Sequence, residues 1–173
     1  LSSALTYIRI MKPELRNESP VTLQNTPELI ERGRYLSHHV AACFSCHSPR
    51  DWNTHSAPNI DSLLGSGGLS FGKREGLPGN YYARNITPSH TKSWSDTDLY
   101  NSIAAGLTPD KRSLFPSMPY LVYGTMDSLD ILAIASYLKT IKPVSSQNIE
   151  SESDFPMSLI IRLLPRSGRH QTV

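Results

Sequence analysis

The sequence predicts a mostly α-helical domain with long ordered loops. Three segments carry apolar side chains at helical spacing, and each begins at a residue that suits the first turn of a helix. No segment shows the clear alternation of apolar and polar residues that is typical of a half-buried strand. With 173 residues and 38% apolar content, the chain is long enough for one such domain and its core.

The first predicted helix covers about residues 27–40, directly before the two cysteines. Thr26 is a suitable N-cap, and Pro27 takes the first helical position. Proline is tolerated there because the N–H at this position makes no hydrogen bond within the helix. Gly33 lies in the helix interior, where glycine costs about 1 kcal/mol relative to alanine. We therefore expect another helix to pack closely against Gly33.

Two further helices are predicted from their end signals. Ser95 and Asp98 have the spacing of a capping box, and Gly106 is a natural C-terminal stop for that helix. The last helix begins after Asp127 as N-cap and ends before Pro143.

Residues 48–92 have little periodicity and are predicted to form a long loop region. Its glycine-rich run, G-S-G-G-L-S-F-G-K-R-E-G-L-P-G-N, lacks the G-x-x-x-x-G-K-[ST] pattern of a phosphate-binding loop, so an ordinary turn-rich loop is expected. The following segment, Y-Y-A-R-N-I-T-P, is predicted to be extended.

Both ends of the chain are predicted to lie outside the central domain of residues 26–143. Residues 1–25 are interpreted as a linker, whose first part is either the end of a membrane-anchor helix or a loosely docked terminus. Residues 144–173 form an extension that becomes apolar at F-P-M-S-L-I-I-R-L-L-P and is expected to pack on the domain or on a partner. No uninterrupted apolar run has membrane-spanning length.

The charge of the chain argues against nucleic-acid binding. The net charge is +2, and the 17 basic residues are scattered along the sequence. Such a surface suits brief docking with a protein partner.

Both cysteines lie in the pentapeptide C-F-S-C-H, residues 43–47. Cys-x-x-Cys-His is the attachment sequence of c-type haem. Cys43 and Cys46, one helical turn apart, would form thioethers with the porphyrin vinyl groups, and His47 would bind the iron on one face. A single motif of this kind predicts one covalent haem c.

Two other chemistries are compatible with the motif alone. A closed zinc site needs four ligands and commonly a second Cys/His pair, but the chain has no other cysteine. A thioredoxin-like dithiol follows a strand in a βαβ unit, whereas the segment before Cys43 is predicted to be helical. Haem is therefore favoured.

Met118 is the predicted second axial ligand of the iron. It lies between Pro116 and Pro119, which restrict the backbone around it. A His/Met ligand pair raises the reduction potential of haem iron. The alternative interpretation is that Met118 only fills a gap in the core, and His90 is the best rival as ligand.

Four separated motifs resemble the class I c-type cytochromes: E-R-G-R-Y-L, C-F-S-C-H, F-P-S-M-P-Y and I-A-S-Y-L-K. The segments Y-A-R-N-I-T-P and W-S-D-T-D-L-Y are similar to a bacterial branch that includes cytochrome subunits of membrane dehydrogenases and their monohaem, often membrane-anchored relatives. The resemblance covers about residues 27–143. It implies helices around one haem, with the first and last helices crossing at Gly33 and Tyr137.

The resemblance also implies roles for individual residues. Cys43 and Cys46 match the thioether sites, His47 the proximal ligand and Met118 the distal ligand. Four further residues match segments that line the haem edge in similar proteins: Tyr82, Arg84, Asn85 and Trp94. Among these, Arg84 is the expected partner of a haem propionate.

The resemblance implies a one-electron carrier rather than an enzyme. Since haem is attached outside the cytoplasm in this family, a periplasmic, membrane-associated protein is expected, with redox proteins of a membrane complex as partners. The alternative function is a haem protein whose distal ligand is displaced by peroxide or by a small gas.

Overall fold

The computed structural model describes residues 20–163, together with Thr6. The segment interpreted as an anchor end or a docked terminus, and the last residues of the C-terminal extension, lie outside the described residues. Over the described part of the chain, no helix combines the length and the apolar character that crossing a membrane requires.

Helix is the main regular structure, as predicted. Residues 20–163 form seven α-helices: α1 (Pro27–Tyr35), α2 (Cys43–His47), α3 (Pro88–Thr91), α4 (Asp96–Ala104), α5 (Tyr120–Tyr123), α6 (Ser128–Thr140) and α7 (Met157–Ile160). Three short strands form an antiparallel sheet in the order β1 (Ser70–Phe71), β2 (Gly79–Tyr82) and β3 (Glu152–Ser153).

The first helix covers the predicted residues, but its last turn is not α-helical. Its α-helical part ends at Tyr35, and Leu36–Val40 form a wider π-helical turn that is closed by a 2.8 Å bond from the Ala41 N–H to the Leu36 carbonyl. Ala42 then adopts a left-handed conformation, with φ of 49°. The predicted helix of about residues 27–40 is thus confirmed, with a π-helical last turn before the chain turns into α2.

Helices α1 and α6 cross at Gly33, where their backbones nearly touch. A Cβ atom on Gly33 would lie 1.9 Å from the Ala133 carbonyl oxygen and 2.8 Å from Tyr137 Cβ. Only glycine permits this approach. The predicted packing of the last helix against Gly33 is confirmed, with Tyr137 at the contact.

Polar contacts fix the angle of this crossing. The Arg32 guanidinium donates two hydrogen bonds to the Asp130 carboxylate, at 2.9 and 3.0 Å. About two helical turns further along, His38 Nε2 lies 2.9 Å from the Tyr137 hydroxyl. Phe44 of α2 packs edge-on against the Tyr137 ring, so the crossing also holds the cysteine helix.

Helix α4 begins as predicted. The Ser95 hydroxyl accepts from the Asp98 N–H, and the Asp98 carboxylate accepts from the Ser95 N–H, which completes the capping box. Leu99 and Ile103 of α4 enter the same buried cluster as Ile131 and Ile134 of α6. This cluster forms the core on which α1 and α2 also rest.

The structure contains three short strands that no alternating pattern in the sequence predicts. Only the first two residues of the segment expected to be extended, Tyr81 and Tyr82, belong to β2. This strand pairs with β1 of the glycine-rich region and with β3 of the C-terminal extension. Each strand is only two to four residues long, which is too short for an alternating pattern to appear in the sequence. The sheet attaches the extension to the domain.

Replacing Gly33 with alanine is expected to destabilise the protein by about 2–3 kcal/mol. The new methyl group meets the Ala133 backbone, which cannot rotate away, and the gain in helix propensity is only about 1 kcal/mol. Thermal unfolding of the haem-loaded protein, followed by circular dichroism, measures the loss. Gly72→Ala is the matched control, because its Cβ would come close only to the movable Asn80 side chain, at 2.9 Å, and would lie at an ordinary contact distance of 3.5 Å from the Gly79 carbonyl oxygen. Equal stability of the two variants would contradict the close crossing.

Asp96→Asn is expected to reduce stability by about 1 kcal/mol at neutral pH. A hydrogen bond from Lys139 lowers the pKa of Asp96, which also accepts from the Leu23 N–H at 2.9 Å. A carboxylate with a lowered pKa stabilises the fold above its unfolded pKa, and this contribution is lost as the pH falls through the folded pKa. Unfolding temperatures measured from pH 7 to pH 3 should therefore converge for the wild type and the variant. A difference in unfolding temperature that stays constant over this pH range would contradict the ion pair. Asp61→Asn, on an exposed turn, is the control.

Candidate haem-binding site

The two cysteine side chains lie on one short helix. In α2, Cys43 and Cys46 are three residues apart, which places their side chains as neighbours on the helix surface. Both are free thiols and both are partly buried. Phe44 between them is buried in the core, 2% exposed, and holds the helix in place. The two sulfur atoms are thus presented together from an anchored helix.

The environment of the thiols disfavours a redox dithiol. Burial raises the pKa of Cys43 to about 11. Burial also raises the pKa of Cys46, although the nearby Arg50 opposes this effect. Both thiols are therefore protonated at neutral pH, whereas catalytic dithiols depend on a thiolate with a lowered pKa.

The imidazole of His47 is held by a main-chain carbonyl. Its Nδ1 lies 2.7 Å from the Arg84 carbonyl oxygen. Because a carbonyl oxygen can only accept, Nδ1 donates the proton and Nε2 keeps its lone pair in the neutral ring. Burial lowers the pKa of His47, against the opposing effect of the Arg84 carbonyl, and so favours the neutral ring. Metal-ligating histidines are commonly oriented in this way.

This set of donors fits a covalent haem. Two free thiols one helical turn apart match the two vinyl groups, and Nε2 of the adjacent histidine is a suitable iron ligand. Among the described residues, no group of three or more His, Cys, Asp and Glu side chains is arranged to hold a metal ion.

Met118 is partly buried in the loop that leads into α5. Its N–H donates to the Phe115 carbonyl at 3.1 Å, and its own carbonyl accepts from the Tyr120 N–H at 2.8 Å. At the end of α5, the Tyr123 hydroxyl donates to the Ala41 carbonyl at 2.7 Å. The loop of Met118 is thus connected to the residues directly before the cysteine helix, and its role as iron ligand stays a prediction.

Tyr123 and Arg50 lie at the site although the sequence did not single them out. Burial raises the pKa of Tyr123 to about 12, and the neighbouring Cys43 and Cys46 thiols contribute. The Arg50 guanidinium lies beside Cys46 and donates to the Ser45 carbonyl at 3.4 Å. In the sequence, Arg50 could have been found from its position four residues after Cys46. No sequence pattern connects Tyr123 with the cysteines.

Arg84 reaches the site through its main chain. Its carbonyl holds His47, while its guanidinium pairs with Glu150 of the C-terminal extension. Glu150 also accepts from Arg112, at 2.8 Å. A haem propionate that binds Arg84, as predicted, would share the guanidinium with Glu150.

Asn85 and Tyr82 bind the C-terminal extension. Asn85 is 1% exposed, and its amide donates to the Val144 carbonyl at 2.7 Å and to the Ser146 hydroxyl at 2.9 Å. The Tyr82 N–H donates to the Ser151 hydroxyl at 3.0 Å. Their predicted position at the haem edge stays a prediction.

Trp94 packs partly buried against the core and meets His90 edge-on, with 5.6 Å between the ring centroids. Nε2 of His90 is buried and makes no hydrogen bond within the described residues. Burial lowers the pKa of His90, as does the nearby Arg84. The structure thus brings together Cys43, Cys46, His47 and the Arg84 carbonyl. His90 and Trp94 lie on the segment that follows Arg84 in the chain.

No protein-family model matches the chain. The chain is 28% identical over 145 residues to the gluconate 2-dehydrogenase cytochrome c subunit of Pantoea cypripedii, covering 79% of this chain and 29% of that protein. It is 31% identical over 129 residues to the fructose dehydrogenase cytochrome subunit of Gluconobacter japonicus, covering 72% of this chain and 24% of that protein. It is 34% identical over 116 residues to a diheme cytochrome c-type protein of Cereibacter sphaeroides, covering 66% of this chain and 36% of that protein.

The chain therefore spans between about a quarter and a third of the length of these relatives. The similarity extends over most of the chain. Two of these relatives are named as cytochrome c proteins, and the third is named as a cytochrome subunit. The donor set on α2 and the tethered His47 imidazole agree with these names. This chain is a c-type cytochrome related to the cytochrome c subunits of dehydrogenases.

Proposed function

We propose that this cytochrome is a one-electron carrier with a single haem c, attached through Cys43 and Cys46 and ligated by His47 and Met118. The observation that carries the proposal is the 2.7 Å contact between His47 Nδ1 and the Arg84 carbonyl. This contact orients the imidazole and leaves Nε2 available to bind iron. His47 lies on the same helix as both cysteines. Residues 26–143 form the haem domain in this proposal.

When bound, the haem supplies an iron that cycles between the ferric and ferrous states. Cys43 and Cys46 fix its position covalently, and the Arg84 carbonyl prevents rotation of the His47 ring. The thioether of Met118 favours the ferrous state and so raises the reduction potential. No substrate is transformed in this role, so the chain is a carrier and not an enzyme.

A dehydrogenase is the proposed electron donor. This proposal is supported by two relatives, which are named as cytochrome subunits of gluconate 2-dehydrogenase and of fructose dehydrogenase. We place the chain in the periplasm, associated with a membrane complex, because c-type haem is attached outside the cytoplasm in the family. Leu121 and Val122, which are 55% and 64% exposed shortly after Met118, offer an apolar surface for brief docking near the haem.

Met118→Leu is expected to remove the methionine-to-iron charge-transfer band of the ferric protein and to allow carbon monoxide to bind the ferrous protein. Leucine keeps the volume of the side chain but has no donor atom. Absorption spectra of the haem-loaded protein, with and without carbon monoxide, provide the measurement. Met126→Leu is the matched control, since Met126 is a second partly buried methionine, located at the start of α6.

A band that persists in Met118→Leu would show that another residue, with His90 as first candidate, ligates the iron. Rapid binding of carbon monoxide by the wild type would instead support the haem protein with a displaceable distal ligand.

The double variant Cys43→Ser, Cys46→Ser is expected to lose covalently attached haem completely, because serine cannot form the thioether. Haem-stained denaturing gels of protein matured in a periplasm check this outcome. Ser45→Ala, between the two cysteines on the same helix, is the control and should retain the stain. Covalent haem in the double variant would exclude the proposed attachment.

A further inference from the structure

A single peptide group links His47 to the C-terminal extension. The carbonyl of Arg84 accepts from His47 Nδ1 at 2.7 Å. The N–H of Asn85 donates to Asn148 Oδ1 at 2.8 Å. These two atoms are the two ends of the same planar peptide unit between residues 84 and 85. His47 and Asn148 therefore lie at opposite ends of one chain of hydrogen bonds.

We propose that Asn148 is a positioning residue that tunes the haem iron through this peptide group. The inference rests on the proposed ligation of iron by His47. When Asn148 Oδ1 accepts the Asn85 N–H, the amide is polarised and its carbonyl oxygen becomes a stronger acceptor. The stronger bond makes the His47 ring a more basic ligand. A more basic ligand stabilises ferric iron and lowers the reduction potential.

The peptide group is held too tightly to adjust its position. On one side it lies against Gly67, where a Cβ atom would come within 2.7 Å of the Arg84 carbonyl carbon and 2.8 Å of the Asn85 nitrogen. The Gly68 N–H donates to the Ala83 carbonyl at 3.0 Å, and the Ile86 N–H donates to the Gly65 carbonyl at 2.8 Å. A change at Asn148 is therefore transmitted as polarisation rather than absorbed by movement of the backbone.

The extension holds Asn148 in its place from both sides. Before it, the Ser146 hydroxyl accepts from the Asn85 amide at 2.9 Å and donates to the Ser66 carbonyl at 2.6 Å. After it, Glu150 pairs with Arg84 and Arg112. These bonds attach the extension independently of Asn148. Attachment of the extension and tuning of His47 can consequently be separated by mutation.

Asn148→Ala in the haem-loaded protein is expected to raise the reduction potential and to move the His47 Hδ1 resonance of the ferrous protein upfield, because the Arg84 carbonyl becomes a weaker acceptor. Spectroelectrochemical titration and proton NMR provide the two readouts. Ser146→Ala is the matched control. It removes two hydrogen bonds of the extension but leaves the contact from Asn148 to the peptide group, so it should change thermal stability without moving the Hδ1 resonance.

Asn148→Asp keeps an acceptor oxygen at this position and is expected to hold the Hδ1 resonance at its wild-type position or further downfield. The inference is overturned if Ser146→Ala and Asn148→Ala shift the potential and the resonance equally, or if neither variant shifts them. In both of these outcomes the protein still carries a covalent haem. They can therefore be distinguished from failure of the proposed function. That failure would appear as the absence of covalent haem, or of a His47 ligand, in the wild type.

Discussion

The close contact between Gly33 and the Ala133 carbonyl determines how the rest of the molecule is arranged. Because the two backbones touch, the axis of α1 has one position on α6, and the Arg32–Asp130 ion pair fixes its direction. The chain leaves this crossing through the π-helical turn and enters α2 directly. The placement of both thiols thus depends on a contact made ten residues before the first of them.

The features that sequence predicted well depend on neighbouring residues. The capping box of Ser95 and Asp98 is satisfied within one helical turn, and Gly33 signals a close contact by its cost in a helix. The π-helical turn depends on partners from elsewhere. Ala42 takes a left-handed conformation, which glycine or asparagine would normally signal, and the Ala41 carbonyl is bound by the distant Tyr123.

The candidate site likewise contains residues that the sequence identifies and a main-chain group that it does not. The order of Cys43, Cys46 and His47 is visible in the sequence because attachment chemistry requires those side chains at that spacing. The group that orients His47 is a main-chain carbonyl, and any residue type at position 84 could supply it. Sequence therefore identified Arg84 for its guanidinium, whereas the structure shows its carbonyl at the site and its guanidinium bound to Glu150.

The contacts of Asn85 show what the C-terminal extension adds to the helical domain. A buried asparagine must find partners for its donors and acceptor, and here they come from Val144, Ser146 and the adjacent Thr87. Without the extension, the segment that carries the Arg84 carbonyl would lose the bonds to Val144 and Ser146 and would lie partly unsupported. The extension thus supports the candidate site by fixing a backbone acceptor, and the side chains that it contributes contact Asn85 and Arg84.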